Sequence, residues 1–129
     1  MNYNEALNYI HSLPRFCEAG LHRIESLMTA LGNPQDKLRF IHVAGTNGKG
    51  STAAMTASIL RKAGYQVGLF TSPSIHRFNE RIHINGEQIS DEDLATVVSF
   101  VKPLAESMED IATEFELVSC IGFEHFKRQ

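Results

Sequence analysis

This sequence has no tryptophan, only two cysteines and four prolines, and no apolar run approaching the roughly 18 residues of a membrane span. Each shortage excludes something. Cys17 and Cys120 lie far apart with no Cys-x-x-Cys spacing, so neither a disulfide framework nor a metal knuckle is expected, and both read as free, buried thiols in a reducing compartment. Neither sign of charge dominates. Twelve Lys and Arg stand against 15 Asp and Glu, for a net charge of −3 and a pI of about 6.0, which gives no electrostatic case for nucleic acid or an anionic membrane. Any phosphate binding must therefore be local. Met1-Asn2-Tyr3-Asn4-Glu5 is not the basic-then-apolar opening of a secretory signal, and the cytoplasm is the expected location. No repeat, low-complexity tract or linker interrupts the chain. At 129 residues, 43% hydrophobic and 21% charged, it suits one soluble domain that buries about two-thirds of its unfolded surface.

What is present is concentrated in one stretch, Gly45-Thr46-Asn47-Gly48-Lys49-Gly50-Ser51-Thr52. Leu38-Arg39-Phe40-Ile41-His42-Val43 before it is short, apolar and β-branched enough to be a buried strand, and Ala53 to Leu60 after it carries a helix pattern. Strand, glycine loop and helix in that order make a phosphate cradle. The glycines free the backbone to turn successive N–H groups toward one anion, and the helix points its positive end at the same place. Lys49 can reach a β- or γ-phosphate, while Ser51 and Thr52 offer hydroxyls to phosphate or magnesium. The common phosphate-loop pattern places Ser or Thr directly after Gly-Lys, whereas Gly50 intervenes here. A bare glycine-rich turn is the alternative, but a turn needs neither the lysine nor the paired hydroxyls.

The flanking chain reads as helices and short strands. Asn2 or Asn4 caps a first helix carrying Ala6, Leu7, Ile10 and Leu13 and ended by Pro14. Leu21, Ile24, Leu27, Met28 and Leu31 form the stripe of a second, closed by Gly32-Asn33-Pro34. Gln66 to Thr71 is the next strand, and a strand, helix, strand unit of this length implies a right-handed crossover with parallel strands and a ligand crevice beyond their carboxyl ends. Ile82-His83-Ile84 and Glu87-Gln88-Ile89 flank Asn85-Gly86, a hairpin signal. Ser90-Asp91-Glu92-Asp93 opens a helix whose stripe runs through Pro103 with a kink, and Thr113 and Glu116 have capping-box spacing before a largely apolar last helix. The fold class is α/β: a P-loop-type parallel sheet flanked by helices, incomplete, with a small β-hairpin.

Gly45-Thr46-Asn47-Gly48-Lys49-Gly50-Ser51 resembles the ATP loop of the Mur ligase superfamily, and its Gly50-Ser51 ending resembles the folate branch, folylpolyglutamate synthase and dihydrofolate synthase. Gly68-Leu69-Phe70-Thr71-Ser72-Pro73-Ser74-Ile75-His76-Arg77-Phe78-Asn79-Glu80-Arg81-Ile82 resembles that family's second signature. The likeness runs from about Tyr3 to the last residue. It implies that residues 1–129 are the N-terminal portion of a Mur-ligase-like ATP-binding domain, a fragment without the C-terminal domain. It further implies an ATP-dependent ligase adding L-glutamate to folate or dihydropteroate through an acyl phosphate, with ATP and Mg2+ as cofactors. Under that resemblance Lys49 is catalytic, Gly45 through Thr52 with Asn79 and Arg81 hold the nucleotide, and Ser51 and Ser72 hold the metal. Ser72 also reads as a plain turn serine, and Arg81 as a partner of Glu80. Ser74 stands where the family often has His. His76 and Arg77, in the family's mobile loop, are candidates for a phosphate or a substrate carboxylate. Phe16 and Leu21 fall near the family's pterin pocket, or simply pack. Glu116 is a capping-box acid that the family match also brings toward the active site. A cell-wall Mur ligase and a non-catalytic nucleotide-binding module are the rival readings. The chain alone is expected to be inactive as a ligase and inclined to self-associate, with small-molecule substrates and no nucleic acid or membrane partner.

Overall fold

A computed structural model describes all residues, Met1–Gln129. The chain divides into two compact units, Met1–Arg39 with Asp91–Gln129, and Phe40–Ser90. No helix is long and apolar enough to cross a membrane.

The first unit is helical. Helix α1 (Tyr3–Ser12) starts at a capping box in which the Asn2 side chain accepts from Glu5 N at 2.9 Å and Glu5 Oε2 accepts from Asn2 N at 2.9 Å, which satisfies two otherwise orphan donors. Helix α2 (His22–Ala30) is followed by Asn33 in the left-handed region and a 3-10 turn, Pro34–Lys37. Helix α4 (Asp91–Glu106) sets three acids in its first turn, against the helix's positive pole, and continues through Pro103. Helix α5 (Glu114–Arg128) starts at the Thr113–Glu116 capping box. The helices join because their apolar stripes have nowhere else to go. Ile10, Leu27, Leu94, Val98, Val101, Leu117, Val118 and Ile121 are fully buried, with α5 packed against α1, α2 and α4. Glu124, only 2% exposed, receives Lys127 at 3.2 Å and Arg128 at 2.9 Å. The two cations therefore neutralise a buried carboxylate as well as meeting the helix end.

His125 lies in this core. Burial chiefly depresses its pKa below the ordinary 6.5, with the nearby Arg128 charge acting the same way and Asp93 opposing. A depressed folded-state pKa leaves stability intact above pH 6.5 and removes it as the pH falls toward the folded value, because the buried ring must then take up a proton. Denaturant unfolding at pH 7.5 and pH 5.0 is expected to show a loss on acidification that is smaller in His125→Gln. An identical loss in both proteins would show that His125 does not set this slope.

The second unit places a helix on a small sheet. Helix α3 (Lys49–Lys62) lies against β1 (Gly68–Phe70), which pairs antiparallel with β2 (Ile82–Ile84), itself antiparallel to β3 (Glu87–Gln88). The registers are Gly68 opposite Ile84 and His83 opposite Gln88. The hairpin forms as its sequence dictates. Asn85 and Gly86 have φ of 51° and 83°, the pair of positive values that an Asn-Gly turn supplies without strain.

The parallel sheet expected from sequence is not observed. Leu38 to Val43 forms no strand, with Phe40 and Ile41 54% and 64% exposed. The only sheet is antiparallel, in the order β1-β2-β3. A parallel strand exists only through hydrogen bonds to a neighbour, and no strand lies beside this segment, so its β propensity has nothing to act on. Helix α3 shows the same condition. It has no buried residue, and Met55 and Ile59 are 60% and 69% exposed.

Candidate functional site

The glycine loop and the first turn of α3 hold the residues that the sequence marks for phosphate binding. Gly45 and Gly48 have φ of 149° and 70°, both in the region that favours glycine, so the backbone turns twice before Lys49 starts the helix. A Cβ added at Gly45, Gly48 or Gly50 would meet nothing within 4 Å. These residues are therefore not glycine to avoid a clash within the fold. Two are required by backbone geometry, and all three leave the loop bare for a close approach from outside. No side chain caps α3, so its first N–H groups stay available to an anion. Lys49 Nζ turns back and donates to Gly45 O at 2.6 Å, which holds a full positive charge over the loop's own backbone. Thr46, Asn47, Ser51 and Thr52 are all exposed.

The second signature folds around Arg81 and Glu80. Arg81 is 9% exposed and lies 5.8 Å from the Phe70 ring centroid and 5.6 Å from that of Phe78. It donates from Nε to Thr71 O at 3.3 Å and from Nη2 to Ser72 Oγ at 3.2 Å. A metal candidate and a nucleotide candidate thus meet just past the end of β1, where an arginine fixes the serine hydroxyl. The Glu80 carboxylate accepts from the backbone N–H groups of Ile75, His76 and Arg77 at 2.8–3.0 Å. The hydrogen bond from Ile75 leads in lowering its pKa, those from Arg77 and His76 add to it, and burial opposes. Glu80 is therefore the acid that shapes the loop carrying His76 and Arg77. Asn79 is 1% exposed and donates from Nδ2 to Ile89 O at 2.7 Å. Its amide closes the hairpin, and the nucleotide contact expected of it has almost no exposed surface to use.

In the helical unit Glu116 caps Thr113, accepting from its N–H at 2.9 Å, and its Oε1 also takes Arg23 Nε at 3.0 Å. Burial would raise the Glu116 pKa, but hydrogen bonds from Thr113 and Arg23 outweigh it and hold the carboxyl below its ordinary 4.5. Arg23 donates as well to Glu18 O at 2.8 Å, which ties the loop after α1 to the start of α5. Sequence reasoning missed this arginine, and one signal was available: a cation in a helix's first turn opposes the dipole and needs another reason to be there. Phe16 and Leu21 are 90% and 69% exposed, so neither packs in the core. Cys17 is exposed rather than buried, and Cys120 is buried with its thiol pKa pushed up to about 12 by desolvation and the Glu116 charge.

Comparison with known proteins gives matches along the whole chain. The chain is 47% identical over 135 residues to the folylpolyglutamate synthase of Lacticaseibacillus casei, covering 100% of this chain and 32% of that protein. Along its whole length the chain is similar to folylpolyglutamate and dihydrofolate synthases. The dihydrofolate synthase/folylpolyglutamate synthase of Bacillus subtilis strain 168 is 46% identical over 129 residues, covering 96% of this chain and 30% of that protein. A solved FPGS–AMPPCP–folate complex superposes with a TM-score of 0.94 at 47% identity over 99% of this chain and 33% of that one. The chain thus spans about a third of the length of the family members it matches. No protein-family profile matches it.

The residues fit a magnesium–nucleotide ligand in part. Ser51 and Ser72 supply hard oxygen donors suited to magnesium, and no group of three His, Cys, Asp or Glu side chains offers a competing metal centre.

Proposed function

We propose that this chain is the phosphate-binding portion of an ATP-dependent ligase that joins L-glutamate to folate or dihydropteroate. The observation that carries this reading is Lys49 Nζ held on Gly45 O at the mouth of an uncapped helix, within a family whose relatives are folylpolyglutamate synthases. In such a reaction a substrate carboxylate oxygen attacks the γ-phosphorus of ATP and ADP leaves. The glutamate amine then displaces phosphate from the acyl phosphate and loses a proton. Amines do not displace a carboxylate oxygen at neutral pH, so converting that oxygen to a phosphate leaving group is the step that needs positive charge. Gly45 through Thr52 cradle the phosphates and Lys49 neutralises the group in transfer. Ser51 and Ser72 would hold magnesium, which would supply further positive charge to the phosphates. Arg81 acts one step back, as the residue that aims the Ser72 hydroxyl. Phe16 and Leu21, exposed on the loop after α1, are available to a flat aromatic substrate.

The chain's share of its relatives, about a third, and the bare α3 face support reading it as one part of a larger ligase, inactive alone in amide formation. The cytoplasm remains the proposed location. Phe40, Ile41, Met55, Ile59 and Tyr65, all exposed, support concentration-dependent self-association, which sedimentation velocity would detect and a single monomer peak across concentrations would refute.

Ser72→Ala tests the site. It should weaken binding of magnesium-AMPPCP severalfold in calorimetric titration while leaving metal-free AMPPCP unaffected, because only the metal complex uses the hydroxyl. Equal losses with and without magnesium, or none, would return Ser72 to a turn role. Binding without any turnover by a longer chain that carries this segment would favour the non-catalytic module.

A further inference from the structure

The second unit contains a half-open pocket of about 140 Å³ between α3, β1 and the hairpin. Its walls include Ala57, Ser58 and Arg61 of α3, Leu69 of β1, and His83 and Gly86 of the hairpin. Three features set it apart from a packing defect. First, its polar groups are not spent on one another. His83 Nε2 is shut off from solvent with no hydrogen-bond partner, and a buried ring nitrogen left alone is destabilising. Asn85, also on the wall, accepts from Val67 N through Oδ1 at 2.9 Å, which leaves its NH2 group uncommitted. Second, the wall includes one arginine and no Asp or Glu, so the local field favours an anion. Third, the arginine is given room by a missing side chain. A Cβ on Gly86 would stand 2.5 Å from Arg61 Nη1, so the turn glycine serves the hairpin's positive φ and lets the guanidinium lie across the turn.

We infer that this cavity is a binding site for a small oxyanion of phosphate chemistry, held by the Arg61 guanidinium and by a proton on His83 Nε2, with Ser58 and Asn85 as further donors. Guanidinium offers the planar fork that suits phosphate oxygens. An imidazole N–H facing the same space removes the unpaired ring nitrogen. At about 30 Å³ for each water of the liquid, the volume admits several waters or one phosphate-sized ion. The site shares no residue with Gly45 through Thr52 and is distinct from the nucleotide cradle.

Amide chemical-shift titration of the 129-residue chain with inorganic phosphate, against sodium chloride at matched ionic strength, tests the inference. Saturable shifts are expected at Arg61, His83 and Gly86, with affinity reduced at least tenfold in Arg61→Gln and in His83→Phe and changed less than twofold in Lys49→Ala. Arg61 is exposed, so its replacement leaves the fold intact, and mapping the shifts in the unaltered chain locates the bound ion without any variant. Shifts confined to Gly45–Thr52 and abolished by Lys49→Ala, shifts reproduced by chloride, or an affinity indifferent to Arg61→Gln would each overturn it.

Discussion

Lys49→Ala should lose about 1.5–3 kcal/mol of nucleotide affinity, the worth of a charge-assisted hydrogen bond, which is roughly a 10- to 150-fold rise in Kd. The expected melting temperature is unchanged. Lys49 is exposed and its one hydrogen bond, to Gly45 O, lies on the surface, while α3 contributes no buried residue for a truncation to disturb. The loop's backbone N–H groups and the helix end remain in the variant, so residual binding should persist rather than vanish. Titration with AMPPCP reads the affinity and a thermal scan reads the fold. Equal affinity in both proteins at equal stability would remove Lys49 from the site and leave a glycine-rich turn.

The largest effect on stability is expected at Ile121. It is fully buried on α5, the helix packed against α1, α2 and α4. Truncation to alanine removes apolar contacts on several sides at once and leaves a cavity that three neighbouring helices cannot all collapse to fill. The expected cost is about 2–5 kcal/mol, a large share of the roughly 5–15 kcal/mol that stabilises an ordinary domain. Ile111→Ala is the matched control, because Ile111 is 60% exposed and its loss should stay within about 0.5 kcal/mol. Urea midpoints measure both. Comparable shifts for the two variants would mean that the helical unit does not carry the stability assigned to it.

The glycine loop's turns, the helix caps and the hairpin were legible in the sequence because each is decided within a few residues. Gly45 and Gly48 adopt the positive φ that their spacing before Lys49 suggests, Asn2 pairs with Glu5 and Thr113 with Glu116 three positions apart, and Asn85-Gly86 turns as that dipeptide must. The stripe of α4 was legible for the same reason, its burial repeating with the helix period, whereas the largely apolar α5 is buried without a break from Leu117 to Gly122. Expectations that needed a distant partner fared differently. Leu38 to Val43 has strand composition, yet a strand is a relation between segments, and the tertiary structure sets no neighbour beside it. Asn79 read as a ligand contact until the fold placed its amide on Ile89 O.

By itself, then, the sequence determined the local conformations, the turns of the glycine loop among them, since backbone preference, capping and glycine freedom act over one to four residues. Only the tertiary structure decided that Arg23 meets Glu116 93 positions away, that Arg81 orients Ser72, and that Arg61 crosses Gly86 beside an unpartnered His83. Such pairings depend on how separate elements pack, and no pattern of neighbouring residues encodes the distance between them.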